Sequence, residues 1–305
     1  AGFYAYRSAL NFASAGFENN ISHDIGGGFY ASQCGISFSG DASFSGNRAK
    51  YAGGALTAGN GSNISFGGNA LFSLNSAGEG GSVRTTASNI TFGQNAAFEN
   101  NSAAAGGGAL KADNSSKIIF NADSLFNNNT AGYDGGAVTA FDSEIVFNAN
   151  SAFENNSAKL GGAFHLSSSK LVLSDSVFEG NTALSAGGAI YMTGTADKMS
   201  LLTVNTGTET IFRNNKADNS SNALYLGDYS RAVFNTAAGA SVQMRDSVSA
   251  SRNHAELELS GEGAFNLYNS LTGADVFLSG ANGSSFNLMG GGSVNAGRFI
   301  IGAAS

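Results

Sequence analysis

Residues 124–138 read SLFNNNTAGYDGGAV, and residues 144–147 continue the pattern as the alternating segment EIVF. The stretch contains a Phe-x-x-Asn element, from Phe126 to Asn129, and a Gly-Gly-Ala-Val element that ends at Val138. The Phe-x-x-Asn element occurs eight times, at intervals of 25 to 34 residues, with its phenylalanines at Phe17, Phe44, Phe72, Phe98, Phe126, Phe153, Phe178 and Phe212. A repeat of this length indicates a structure built by stacking similar units.

Each unit has three apolar pieces separated by turn residues. The Phe-x-x-Asn piece is followed by Gly-Gly-Ala plus an apolar residue, as at 53–56, 107–110, 135–138, 161–164 and 187–190. The third piece alternates with period two, as in Ile64-Ser65-Phe66, which indicates a short strand with one face inside. Three short strands in about 27 residues, repeated in tandem, predict an all-β fold: a parallel β-helix, or β-solenoid, with one unit per coil.

Stacked coils place equivalent residues about 4.8 Å apart, so like side chains form ladders along the axis. We expect one inward stack of the Phe-x-x-Asn phenylalanines and two more from the alternating piece. The asparagines of the same element are expected to form a hydrogen-bonded ladder at a turn. The absence of proline from all 305 residues agrees with strands that donate hydrogen bonds to neighbours on both sides.

The repeat signature covers only part of the chain. Residues 1–241 carry the Phe-x-x-Asn and Gly-Gly-Ala elements, whereas residues 242–305 keep an apolar strand rhythm without them. We interpret the second part as plainer C-terminal coils of the same β-helix, because no linker-like segment separates the two. An insert at 193–201 explains the single 34-residue interval as an enlarged loop.

Composition excludes several classes of protein. Hydrophobic residues make up 42% of the chain, which is too many for a disordered acidic segment. The net charge of −7 and the scattered basic residues argue against nucleic-acid binding. Cys34 is the only cysteine, so a disulfide within the chain is impossible, and we expect a buried thiol. The three histidines are far apart in sequence, and neither a metal site nor a cofactor is predicted.

Two sets of charged residues were candidates for catalysis, since parallel β-helices also carry polysaccharide lyases and hydrolases. Glu154 and Glu179 are expected one coil apart, a spacing near that of a retaining glycosidase pair. The favoured interpretation is two solvated carboxylates with Arg213 on the next coil. Lys117, Glu144 and Lys170 occupy one position on consecutive coils and are expected to pair across the strands. No catalytic residue is predicted.

The outward positions of the Gly-Gly-Ala strand form the candidate binding surface. This column is expected to be exposed and free of acids, and it contains Tyr30, Thr57, Arg84, Lys111, Thr139, His165, Tyr191 and Tyr225. We predict that His165, Tyr191 and Tyr225 bind a protein or glycan ligand, because large aromatic groups often dominate binding. The outward column of the alternating strand is apolar at Ile119, Val146 and Val172, which makes it a candidate for self-association.

Paired Gly-Gly-Ala-(Ile/Leu/Val) and Phe-x-x-Asn motifs resemble the repeats of the chlamydial polymorphic membrane proteins. The resemblance covers roughly residues 17–225. It implies a right-handed β-helix, export, display at the cell surface by a C-terminal outer-membrane barrel, and adhesion to host cells. No barrel sequence is present here, so we expect an excised autotransporter passenger from a Gram-negative bacterium, at the cell surface, in the outer membrane or secreted.

The sequence therefore predicts a non-enzymatic adhesin passenger that binds a host or neighbouring-cell ligand. Two alternatives remain open. One is a polysaccharide lyase or hydrolase on the same scaffold, and the other is a purely structural stalk.

Overall fold

The computed structural model describes residues 2–251, 253–273, 275–278 and 284–301. These residues form short strands and turns and contain no helix, so no helical membrane span is found among them. The strands stack into four sheets that run along the molecule, and neighbouring strands of a sheet come from consecutive coils. The one exception in the described residues is in the fourth sheet, where Lys216–Ala217 pairs antiparallel with Ser220–Ser221 of the same coil. The chain is therefore a parallel β-solenoid, as the repeat predicts, and the last four residues of the predicted C-terminal part lie outside the described residues.

In the described part of the chain the first sheet has 12 strands: Phe3–Tyr6, Phe29–Ser32, Leu56–Gly59, Val83–Thr86, Leu110–Asp113, Val138–Phe141, Phe164–Ser167, Ile190–Thr193, Leu224–Leu226, Val248–Ala250, Ser270–Thr272 and Ser293–Asn295. Where a glycine pair precedes a strand, one residue separates the pair from the start of the strand. The second sheet has 12 strands from the alternating pieces: Ala9–Phe12, Gly35–Phe38, Asn63–Phe66, Asn89–Phe92, Lys117–Phe120, Glu144–Phe147, Lys170–Leu173, Ser200–Thr206, Ser230–Thr236, Ala255–Gly261, Asp275–Leu278 and Phe299–Ile301.

The third sheet has 11 strands and carries the Phe-x-x-Asn phenylalanines: Ala15–Glu18, Ala42–Ser45, Ala70–Ser73, Ala96–Glu99, Ser124–Asn127, Ser151–Glu154, Ser176–Glu179, Glu209–Arg213, Ser241–Met244, Ala264–Leu267 and Ser285–Leu288. The fourth sheet has nine strands, mostly of two residues: Ile21–Ser22, Arg48–Ala49, Ser76–Ala77, Ser102–Ala103, Thr130–Ala131, Ser157–Leu160, Thr182–Ala186, Lys216–Ala217 and Ser220–Ser221. The expected three strands per coil are therefore one too few in the repeat region, because strands of two residues are too short to show a period in the sequence.

In the repeat region, a glycine pair precedes seven of these first-sheet strands, and backbone geometry requires it there. Gly135 has a φ of +54°, and a Cβ there would lie 2.1 Å from the Val138 carbonyl oxygen. Gly136 has no positive φ, but a Cβ there would lie 2.1 Å from the carbonyl oxygen of Gly162 on the next coil. The first glycine therefore makes the turn, and the second allows the coils to approach closely.

Phenylalanine ladders fill the core between the sheets. Phe126 is fully buried and stacks on Phe98 and Phe153 with ring centroids 4.6 and 5.2 Å apart. Phe120 and Phe147 of the second sheet meet the same ring edge-on at 5.7 and 6.0 Å. Stacked and edge-to-face pairs are the favoured geometries for aromatic rings. The predicted inward stacks of the second and third sheets are confirmed.

The asparagine ladder is also confirmed and is buried. Asn129 donates from its backbone nitrogen and from Nδ2 to Asn156 Oδ1, at 3.0 Å in both cases. Its Nδ2 also donates to the Phe98 carbonyl oxygen at 2.9 Å. Its Oδ1 accepts from the backbone nitrogen and Nδ2 of Asn101, at 3.0 and 2.9 Å. Each buried amide is thus bonded to the coil before and the coil after it.

A serine ladder that the sequence analysis missed follows the first sheet. Ser116 Oγ accepts from the Ser88 backbone nitrogen at 3.3 Å and donates to the Asp113 carbonyl oxygen at 2.6 Å. The same bond from backbone nitrogen to the next hydroxyl links Cys34 to Ser62 and continues through Ser143 and Ser169 to Ser200. Cys34 is buried at the start of this ladder, as expected for a structural thiol.

The asparagine ladder ends at Asp246, beyond the last Phe-x-x-Asn element. Its carboxylate accepts from the backbone nitrogen and Nδ2 of Asn215 and from Ser221 Oγ, at 2.9, 2.8 and 3.3 Å. Burial raises the pKa of Asp246, although these hydrogen bonds partly offset the effect. The first three sheets nevertheless continue past this point. The division of the chain at residues 241 and 242 stays a prediction.

The insert near residue 195 forms a loop over the outer surface. The chain leaves the first sheet after Thr193 and enters the second at Ser200. Lys198 in this loop pairs with Asp142. This loop accounts for most of the enlarged interval, and the longer second-sheet strand that follows accounts for the rest.

We expect Phe126→Ala to lower the free energy of unfolding by about 3–5 kcal/mol, the usual cost of removing a fully buried phenylalanine. Chemical denaturation of the variant beside the wild type measures the change. An unchanged melting temperature would contradict the stacked core.

We expect Asn129→Ala to lower the free energy of unfolding by about 1–3 kcal/mol or more, because it leaves buried groups of Asn101 and Asn156 without partners. Asn127 is a matched control on the same coil, since it is half-buried and its Oδ1 has no hydrogen-bond partner. Asn127→Ala should therefore lower the free energy of unfolding clearly less in the same denaturation experiment. A larger loss from Asn127→Ala than from Asn129→Ala would contradict the hydrogen-bonded ladder.

Candidate binding surface

The outward column of the first sheet is less exposed than its sequence predicts. Thr57, Lys111, Thr139 and His165 are all buried, and none is more than 8% exposed. The turn that follows the fourth sheet lies over them, and Thr139 Oγ1 donates to the Asp134 carbonyl oxygen at 2.7 Å. The prediction that the whole column is exposed is therefore wrong for these four residues, because the turn of each coil covers the strand beside it.

Acidic residues also line this column, contrary to the sequence-based expectation. Glu79 Oε1 lies 2.6 Å from Lys111 Nζ, and its Oε2 lies 3.5 Å from Arg84. Asp113 Oδ2 lies 3.1 Å from Arg84 Nε, and its Oδ1 lies 3.8 Å from Lys111 Nζ. Two carboxylates thus balance two cations in one network. This part of the surface carries almost no net charge.

An aromatic row continues from the charged network toward the C-terminal coils. Lys111 Nζ lies 5.2 Å from the centre of the Phe141 ring, which meets the His165 ring edge-on at 5.6 Å. His165 lies 5.1 Å from Tyr191, and Tyr191 stacks on Tyr225 at 5.2 Å. The structure therefore brings together the three residues that the sequence singles out. We call His165, Tyr191 and Tyr225 the aromatic strip.

Within the strip, exposure increases toward the C-terminal end. His165 is 6% exposed, whereas Tyr191 and Tyr225 are half-buried. Since the two tyrosine rings are parallel, with an interplanar angle of 2°, each covers one face of the other. The outer edges and the outer face of the pair are therefore what the strip offers to a ligand. The role of all three residues in ligand binding stays a prediction.

His165 connects the strip to the overlying turn. Its Nδ1 lies 3.1 Å from Asp134 Oδ1, which forms an ion pair when the imidazole is protonated. Burial raises the pKa of Asp134, but the contact with His165 and the charges of His165, Lys111 and Lys159 outweigh it, so the pKa is lowered. Burial also raises the pKa of Tyr191, with a further contribution from Tyr225 and nearby acids. Tyr191 is therefore a neutral hydrogen-bond donor at physiological pH.

Sequence reasoning missed Glu79, Asp113, Asp134 and Phe141, although local signals exist. Asp134 directly precedes the glycine pair at 135, and Glu79 occupies the corresponding place before the pair at 80. Their parallel bridges to neighbouring coils align these turn positions. Phe141 ends its first-sheet strand. The turn length varies from coil to coil, so the column that these residues form cannot be read from the spacing alone.

The apolar column of the second sheet lies where its sequence predicts. Ile119, Val146 and Val172 are adjacent in register and half-buried. Beside them, Glu144 lies 2.8 Å from Lys117 Nζ and 3.3 Å from Lys170 Nζ, which confirms the expected charge ladder. Contacts with Lys117 and Lys170 lower the pKa of Glu144, and they outweigh burial, which raises it. Self-association through the apolar column stays a prediction.

The carboxylates considered for catalysis are adjacent but not isolated. Glu154 and Glu179 are paired in register on the third sheet, and both are half-buried. Glu179 Oε2 accepts from Arg213 at 2.6 Å, so the expected arginine on the next coil is present. In the described part of the chain, no group of three or more acidic, histidine or cysteine side chains is arranged to hold a metal ion.

Comparison with known proteins gives two matches of different weight. The family described as Chlamydia polymorphic membrane protein (Chlamydia_PMP) repeat matches residues 123–140 and 175–193. Each match runs from the third sheet through the fourth into the first, so the chain carries repeats of this type. The crystal structure of a TibC-catalyzed hyper-glycosylated TibA fragment shares 12% identity, covers 98% of this chain and 100% of its own, and has a TM-score of 0.26. That score supports no argument about function. No curated protein matches significantly.

Asp134 and Asp113 should show opposite pH effects on stability. The lowered pKa of Asp134 means that its ionised form stabilises the fold at neutral pH, and that this contribution is lost as the pH falls below about 3.8. We expect Asp134→Asn to cost about 0.5–1 kcal/mol at pH 6, and this difference should shrink at pH 3.

Asp113 provides the matched comparison. Burial raises its pKa despite the charges of Lys111 and Arg84. Wild type should therefore gain stability relative to Asp113→Asn as the pH falls from 6 to 3. Denaturant unfolding of wild type and both variants at pH 6 and pH 3 measures the two stability differences. If both differences changed in the same direction with pH, the opposite pKa shifts of Asp134 and Asp113 would be contradicted.

Proposed function

We propose that this protein is the passenger of a surface-displayed adhesin that binds a protein or glycan of a host or neighbouring cell through the aromatic strip. The observation that carries the proposal is the polymorphic membrane protein repeat on a continuous solenoid. Repeats of this kind provide a rigid, elongated frame whose exterior is free to vary. The repeat's name also places related chains in bacterial membrane proteins, which favours a location at the cell surface or outer membrane, or secretion.

The strip suits recognition for physical reasons. Tyrosine offers a large contact area and a hydroxyl donor while losing little side-chain entropy on binding. Tyr191 and Tyr225 already stack on each other, so they are ordered before a ligand arrives. Tyr191 is further held by His165, which in turn contacts Asp134. A preformed aromatic contact surface of this kind lowers the entropic cost of association.

The alternatives find less support. A hydrolase would use Glu154 and Glu179 as its catalytic pair, but Arg213 Nη2 already contacts Glu179 Oε2 at 2.6 Å. A structural stalk needs no preformed aromatic row. We therefore propose binding and not catalysis, with no cofactor and no nucleic-acid partner.

The test is binding to host cells by the isolated chain, followed as a saturable isotherm. We expect Tyr191→Ser combined with Tyr225→Ser to weaken binding about tenfold, or about 1.4 kcal/mol. Glu154→Gln combined with Glu179→Gln should leave binding intact. Circular dichroism and thermal melting establish that each variant keeps the solenoid.

Tyr4 and Tyr30 give the matched control, because they stack at 5.1 Å in the same outward column at the other end of the molecule. Their double replacement by serine should leave cell binding unchanged. If both double variants lost cell-binding affinity equally, the aromatic strip would not be the binding site. Cleavage of a glycan by wild type that disappears in the Glu→Gln pair would establish the enzymatic alternative.

A further inference from the structure

A second surface feature lies near the N-terminal end, on the fourth sheet. A concavity of about 670 Å³ crosses the first four coils there. Ser76, Gly78, Ser102 and Ala104 are among the small residues that line it, and Arg48 and Lys50 lie on the neighbouring coil. Because these small residues occupy two successive coils, they leave a notch next to the long side chains of Arg48 and Lys50 on the preceding coil. We call this feature the cationic notch.

The positive groups of the notch have no acidic partner. Arg48 and Lys50 are exposed, and neither is within ion-pair distance of a carboxylate in the described ranges of the chain. Lys50 Nζ instead lies 4.7 Å from the Tyr51 ring centre. His23, also exposed, lies on the same lining. The notch therefore concentrates positive charge on a chain whose net charge is −7.

Nearby acids do not cancel this charge. Glu79 follows Gly78 on the lining coil, but its two carboxylate oxygens face Lys111 and Arg84. Asp24 is exposed beside His23, but in the described part of the chain it is not within ion-pair distance of Arg48 or Lys50. Elsewhere on the surface the main clusters of cations are balanced, as with Glu144 between two lysines. The notch differs from those clusters because its cations remain available.

The lining favours a linear acidic glycan over other anions. The hydroxyls of Ser76 and Ser102 stand one coil apart in register, so successive sugar hydroxyls can meet them along the axis. Ile21 lies on the first coil of the lining and is 69% exposed, so it offers apolar surface to the C–H groups of a sugar ring. Arg48 can bind a carboxylate or sulfate with two donors. A cavity of this volume is in the range that holds small ligands.

We propose that the cationic notch binds a sulfated or uronic-acid polysaccharide chain. Arg48 and Lys50 would bind its charged groups, and the serine hydroxyls would bind the sugar. The proposal goes beyond the aromatic strip, because Arg48 and Tyr191 are separated by six coils, about 30 Å at the spacing of neighbouring strands. Each site can therefore fail without the other.

Calorimetric titration of the full chain with a heparin-derived hexasaccharide tests this proposal, with neutral dextran as the uncharged probe. We expect binding of the hexasaccharide, none of dextran, and weaker binding at higher salt because the attraction is screened. Arg48→Ser combined with Lys50→Ser should lower affinity at least tenfold. Tyr191→Ser combined with Tyr225→Ser should leave this affinity unchanged.

The repeat supplies controls at equivalent positions. Lys216 occupies the outward column of Arg48 on a later coil, and Lys159 occupies that of Lys50, where it contacts the Tyr133 ring at 5.6 Å. Lys159→Ser combined with Lys216→Ser removes the same charge and should leave affinity within about twofold. An equal loss from this pair would mean non-specific attraction and would overturn the site.

A third variant separates shape from charge. Ser102→Tyr fills the notch and keeps both cations, so it should abolish hexasaccharide binding. Thr182→Tyr, in the same outward column of the fourth sheet, is its control and should have no effect. Hexasaccharide binding that survives Ser102→Tyr would overturn the proposal, as would binding of phosphatidylserine vesicles with no binding of the hexasaccharide.

Discussion

The spacing between coils is the constraint on which the rest of this structure depends. Neighbouring parallel strands lie about 4.8 Å apart, so each side chain stands on its counterpart from the coil before. In the interior of the solenoid, that spacing suits stacked aromatic rings and side-chain amides that both donate and accept hydrogen bonds. Asn129 shows the second case, because one side chain serves two neighbouring coils at once. Where Asp246 replaces the amide, the carboxylate can only accept, and the ladder stops.

The same spacing acts differently on the outer surface. Like charges stacked at this distance repel, so cations in a column need acids from a neighbouring turn or coil. Glu79 and Asp113 provide them for Arg84 and Lys111, and Glu144 provides one for two lysines. Several surface charges are thus paired within the molecule. The two surfaces proposed for ligands differ from these pairs, because one is aromatic and the other carries cations without an ion-pair partner in the described part of the chain.

The two surfaces proposed for binding lie outside the ladders that stabilise the fold. The core ladders repeat with little variation, whereas the turns after the fourth sheet differ in length and in side chains from coil to coil. One surface near the C-terminal coils is aromatic, and one near the first coils is cationic. A rigid solenoid would hold these two proposed binding surfaces at a fixed distance from each other.

The sequence by itself determined the coil length, three of the four sheets, the stacked phenylalanines and the asparagine ladder, because all of them repeat at one period. It also paired Lys117, Glu144 and Lys170, since their register follows from the same count. Only the tertiary structure decided which outward residues reach solvent. His165 is buried because a turn carrying Asp134 lies over it, and turns of variable length leave no period in the sequence from which such a cover could be foreseen.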